Sequence, residues 1–128
     1  MADDDEEDCM LASEALAEIG AKVIFSSVID GVELMDYLAA DCDPAGKRVP
    51  DLIILDLNMP RKDGRQAILE IKSDPACQHI PIIILTTSEE QRDKTLTINA
   101  GAESFITKPA TFDGWIDIMK SIAKTWLM

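Results

Sequence analysis

The chain is short of several things, and each shortage removes a class of function. Lys and Arg number only 12 against 24 Asp and Glu, a formal net charge of -12. Nucleic acid is held through clustered cations on its phosphates, so it is excluded as a direct partner. An anionic membrane surface is excluded on the same ground. Cysteine is sparse too: Cys9, Cys42 and Cys77 are odd in number and far apart, with neither zinc nor redox spacing. They read as reduced thiols, buried or idle, in a cytoplasmic protein. The single histidine, His79, reads as a loop residue ahead of Ile80-Pro81. No apolar run approaches bilayer length. The opening residues are mostly acids, unlike a secretory leader. Repeats and low-complexity linkers are missing. What remains is a chain of 128 residues, 47% apolar, which suits one domain over residues 1–128 with a sizeable core.

Two runs, Leu52-Ile53-Ile54-Leu55 and Ile82-Ile83-Ile84-Leu85, are apolar at successive positions and rich in β-branched residues. Strands buried on both faces read this way, which points to a parallel sheet covered by helices. Val23-Ile24-Phe25 is a third predicted strand and Ser104-Phe105-Ile106-Thr107 a fourth. Helices are predicted between them. The first spans residues 6–18, stopped by Gly20. The second spans 32–40, after an Asp30-Gly31 turn, and residues 41–50 read as a loop. The third spans 65–73 and ends at Asp74-Pro75. The fourth spans 89–100, with Leu96 and Ile98 as its chief apolar anchors, and closes at Gly101. The last spans 111–126, with Phe112, Trp115, Met119, Ile122 and Trp126 on one stripe.

This alternation predicts an α/β fold, a doubly wound parallel sheet with right-handed crossovers. The reactive site of such a sheet lies beyond the carboxyl ends of its strands. Asp56, Thr86 and Lys108 end three successive strands, and all are polar. A carboxylate that attacks phosphorus needs its repulsion from the phosphoryl group relieved, about 4 kcal/mol for unit charges a few Å apart at an effective dielectric near 20. A hard divalent cation relieves it, and a fixed cation and a hydroxyl then stabilise the phosphoryl oxygens. Asp3 and Asp4 offer metal ligands, Asp56 the acceptor, Thr86 the hydroxyl and Lys108 the cation.

Asp56-Leu57-Asn58-Met59-Pro60 with Asp63-Gly64 resembles the phosphoacceptor segment of bacterial response-regulator receiver domains. Leu85-Thr86-Thr87 resembles their switch strand, Phe105-Ile106-Thr107-Lys108-Pro109 their lysine strand, and Asp3-Asp4 their acidic pair. Residues 51–109 look like the single-domain receivers that pair with phytochrome-type histidine kinases. The resemblance implies a flavodoxin-like receiver fold in a two-component phosphorelay, with no output domain. Asp56 would accept a phosphoryl group from a sensor histidine kinase or a histidine phosphotransfer protein. Mg²⁺ would be held by Asp4 directly, Asp3 through water, Asp56, and the backbone carbonyl of Asn58. Thr86 and Phe105 would switch together and Lys108 would pair with the phosphoryl oxygens. Asn58 and Ser88 would tune the acyl phosphate's lifetime. Lys108-Pro109 would be a cis peptide.

The family opens with a buried apolar strand that runs into the acidic pair, whereas only Met1 and Ala2 precede Asp3 here. Loss of that strand leaves a gap in the core and unpaired backbone groups. This feature supports an alternative: a phosphorylation-independent binding module, or a homodimer that shares or swaps strands. A haloacid-dehalogenase-like phosphatase would carry a second Asp two residues after the nucleophile, where Asn58 stands.

Overall fold

The structure is a computed structural model and describes residues 1–41 and 50–127. The expected loop at 41–50 and Cys42 fall almost wholly outside the described residues. In chain order the elements are α1 (Glu6–Glu18), α2 (Gly31–Asp41), β1 (Ile53–Leu55), α3 (Gly64–Ser73), β2 (Ile82–Thr86), α4 (Gln91–Ala100), β3 (Ser104–Thr107) and α5 (Phe112–Ile122). A π-helical turn, Ala123–Leu127, extends α5.

The three strands form a parallel sheet in the order β1-β2-β3, with Ile54 opposite Ile83 and Ile84 opposite Phe105. Side chains alternate across a strand, so each apolar run feeds two cores. Ile53, Leu55, Ile82 and Ile84 join Leu34 and Leu38 of α2 and Ala67, Ile68 and Ile71 of α3 on one face. Ile54, Ile83 and Leu85 join Ala12, Ala15 and Leu16 of α1 and Trp115, Met119 and Ile122 of α5 on the other. Of the predicted aromatic stripe, only Phe112 is largely exposed.

The expected strand at Val23-Ile24-Phe25 does not form: residues 21–27 have no regular structure, and Ile24 is 74% exposed. A strand needs a hydrogen-bonded neighbour, and the first partner on this edge is the Met1 amino group, which donates to the Ser26 carbonyl at 2.8 Å. Pairing continues from there. Ala2 bridges Val28 on one side and Leu55 on the other, both in parallel sense. Ala2 N–H donates to the Ile54 carbonyl at 2.8 Å and Asp3 N–H to the Val28 carbonyl at 3.0 Å. Ala2 and Asp3 thus anchor the acidic pair to both neighbouring segments. Below Met1 lies a cleft of about 650 Å³, lined by Leu16, Ile24, Leu38, Ile54 and Trp126 among others.

Two further expectations are corrected. No peptide bond among the described residues is cis, so Lys108-Pro109 is trans. Leu96 and Ile98 do not anchor α4: both are more than a third exposed, and the buried residues of that helix are Asp93 and Thr97.

Candidate functional site

The sheet brings Asp56, Thr86 and Lys108 together. Asp56 follows β1 directly, and its N–H donates to the Ala2 carbonyl at 2.9 Å, which ties it to the acidic segment. Thr86 closes β2, and its carbonyl accepts from the N–H of Lys108 at 2.8 Å, so the exit of β3 is stitched to the end of β2. Gly64 is required by close approach: a Cβ there would collide with the carbonyl of Asp56. Asp63 caps α3 by accepting from Gln66 N–H at 3.0 Å. The loop after Asp56 carries one strained residue, Arg61, at φ 63°. Its Nε donates to Asp30 at 2.8 Å, and Gly31 N–H bonds the Lys62 carbonyl, so the loop is held from the side of α2.

Lys108 Nζ sits among three carboxylates, at 2.8 Å from Asp3 Oδ2, 2.7 Å from Asp8 Oδ2 and 3.2 Å from Asp56 Oδ2. Burial works against its charge, but the bonds to Asp3 and Asp8 outweigh it and hold its pKa above the ordinary lysine value. Asp3 is 1% exposed, and burial pushes its carboxyl up to about 6, only partly offset by Lys108. Its Oδ1 accepts from Asp5 N–H at 2.9 Å. Its Oδ2 is ion-paired with the Lys108 ammonium at 2.8 Å and has no other partner among the described residues. Oxygens of Asp3, Asp4 and Asp56 lie within 4.8 Å of one another. Three carboxylates share one lysine here and Asp4 lies beside two of them, so the pocket remains anionic. Three carboxylates that bring oxygens this close form a hard, all-oxygen donor set, which fits Mg²⁺.

The other expected residues border this pocket. Asn58 is exposed, with its N–H at 3.4 Å from Asp56 Oδ1. Phe105 is half-buried against the core. The Oγ1 of Thr86 accepts from Ser88 N–H at 3.3 Å. Ser88 Oγ donates to Asp93 Oδ2 at 2.7 Å, and Arg65 forks onto both Asp93 oxygens at 2.7 Å each. Asp8, Arg65 and Asp93 are absent from the sequence reading. For Asp8 there was a signal, since it lies one helical turn beyond Asp4. For Arg65 and Asp93, 28 residues apart, there was none.

Trp115 is buried among the helix-packing residues, and His79 lies exposed in a turn. Cys9 and Cys77 are buried, as expected of idle thiols. Burial, with Asp3 nearby, pushes Cys9 up to about 11. No helix among the described residues is long and apolar enough to cross a membrane.

Comparison with known proteins agrees with this fold. The chain is 29% identical to response regulator Rcp1 of Synechocystis sp., over 99% of this chain and 86% of that protein. The crystal structure of a phosphorylated cyanobacterial phytochrome response regulator, RcpA, superposes with TM-score 0.89 at 39% identity, covering 98% of this chain and 90% of that one. A Mn²⁺-bound form of Rcp1 superposes with TM-score 0.81 at 28% identity, over 98% and 91% of the two chains. The family model of the response regulator receiver domain matches residues 1–120, and the chain belongs to that family.

Proposed function

We propose that the chain is the phosphoacceptor of a two-component relay and that Asp56 carries the phosphoryl group. The observation that carries this reading is the contact of Lys108 with Asp56 inside a pocket of acids at the strand ends. A carboxylate oxygen of Asp56 attacks the phosphorus of a phosphohistidine. The P–N bond breaks, the imidazole leaves with its electron pair, and an acyl phosphate forms on Asp56. Asp3, Asp4, Asp56 and the backbone carbonyl of Asn58 would hold Mg²⁺, which supplies positive charge between the two anionic reactants.

Lys108 turns from Asp56 to a phosphoryl oxygen, and Thr86 donates its hydroxyl to another. Phe105 follows Thr86 inward. Asn58 and Ser88 set the rate at which water removes the phosphoryl group. The chain serves as substrate and as catalyst of its own transfer and hydrolysis, and it is not an enzyme acting on others. Its donor is a sensor histidine kinase or a histidine phosphotransfer protein in the cytoplasm. The phytochrome response regulator among its relatives favours a phytochrome-type kinase. The output passes by protein contact, to a target or a second copy.

The test is transfer from a phosphorylated histidine kinase of this class with Mg²⁺. The wild-type chain should take up label, and Asp56→Asn should take up none. Uptake by Asp56→Asn at the wild-type rate would reject the assignment.

A further inference from the structure

We propose that Asp93 is a positioning residue that, with Arg65, holds the loop after β2 in the arrangement in which Thr86 Oγ1 accepts from Ser88 N–H. The inference rests on the reading of Asp56 as phosphoacceptor.

The helix α4 is docked in an unusual way. Its apolar residues Leu96 and Ile98 face outward, at 38% and 40% exposure, while Asp93 and Thr97 are buried. Polar contacts hold it where an apolar face ordinarily would. The Asp93 carboxylate is saturated by Arg65 Nε on Oδ1, and by Arg65 Nη2 and Ser88 Oγ on Oδ2, each at 2.7 Å. Thr97 Oγ1 donates to the Asp93 carbonyl at 2.8 Å. Forked Arg–carboxylate pairs are among the strongest hydrogen-bonded contacts in proteins. The Arg65 guanidinium accordingly holds the Asp93 carboxyl well down, at about 2.

The position of this fork matters more than its strength. Arg65 opens α3, at the end of the loop that leaves Asp56, and Gly64 N–H bonds the Leu57 carbonyl at 2.9 Å. Ser88 lies two residues past Thr86 and donates its N–H to Thr86 Oγ1. The links Asp56 loop, Arg65, Asp93, Ser88, Thr86 therefore run from one strand end to the next. When Thr86 turns toward a phosphoryl group on Asp56, its contact with Ser88 breaks. Ser88 can follow only as far as Asp93 allows. The fork thus stabilises one arrangement of a two-state loop, and a phosphoryl group has to overcome it.

Beryllofluoride, added with Mg²⁺ and followed by fluorine NMR, tests this on the full chain. Asp93→Asn should bind it about tenfold more tightly than wild type, within the ordinary range of coupling between sites. Arg65→Gln breaks the same fork from a partly exposed side chain, and should tighten binding similarly even if Asp93→Asn does not fold. Ser88→Ala should tighten it less, and adding it to Asp93→Asn should give less than the sum of the two. A lower melting temperature with unchanged or weaker binding in the variants would mean a merely structural role and overturn the proposal. Failure of the wild-type chain to bind beryllofluoride would instead overturn the reading of Asp56, and the latch with it.

Discussion

From β1 to β3 every strand has a hydrogen-bonded neighbour and helices on its faces, whereas between β1 and residues 21–28 only Met1, Ala2 and Asp3 make backbone bonds and a cleft of about 650 Å³ lies below them. The site spans both regions. Asp56, Thr86 and Lys108 belong to the closed side, and Asp3 and Asp8 come from the open one. A few backbone bonds at Ala2 and Asp3 suffice to deliver the acidic side of the pocket. Placing a carboxylate takes less structure than filling a core.

The contrast can be broken first by truncation. Ile84 is fully buried between the paired strands, so Ile84→Ala should cost about 3–5 kcal/mol in urea unfolding. Leu16 borders the cleft, so Leu16→Ala should cost only about 2 kcal/mol, because its loss enlarges an open space and makes no new closed void. Equal losses would mean that the two sides are packed alike.

Filling the cleft sharpens the comparison. Register continues downward from Ala2, so a strand ahead of Met1 meets the Ile54 N–H on one edge and the Ser26 N–H on the other. Five Val and Ile residues fused there should raise Tm by roughly 5–10 °C, as apolar burial outweighs the ordering of the added backbone. No rise in Tm would mean that the cleft does not accept a strand.

A smaller effect concerns Asp3. Burial lifts its carboxyl from 3.8 to about 6, so the folded chain keeps this proton where the unfolded chain has lost it. The contribution of Asp3 to stability without metal should then be fully present below about pH 4 and be lost as pH rises through about 6. Mg²⁺ should restore the loss at neutral pH, and Asp3→Asn should flatten the profile, both readable from thermal melts.

Much of the closed side was legible in the sequence. Unbroken runs such as Ile82 to Leu85 suit strands buried on both faces, as in a parallel sheet covered by helices, and the polar residues that end them mark the site. The open side was less so. Val23, Ile24 and Phe25 have the composition of a strand, but composition says nothing of whether a neighbour is present to accept the hydrogen bonds. Asp93 and Arg65 drew no reading, because a fork between distant residues leaves no periodic trace. Asp8 was hidden within an acidic run that also suits a helix start.

The claim on which the rest depends is that one carboxylate, at the end of β1, holds the phosphoryl group. Its most direct test is to phosphorylate the chain with a small phosphodonor and Mg²⁺, reduce the acyl phosphate with borohydride, and locate the reduced residue by peptide mass spectrometry. The reduced side chain should be found at residue 56 alone. Reduction at Asp3, Asp4 or Asp8 with Asp56 intact would contradict the account.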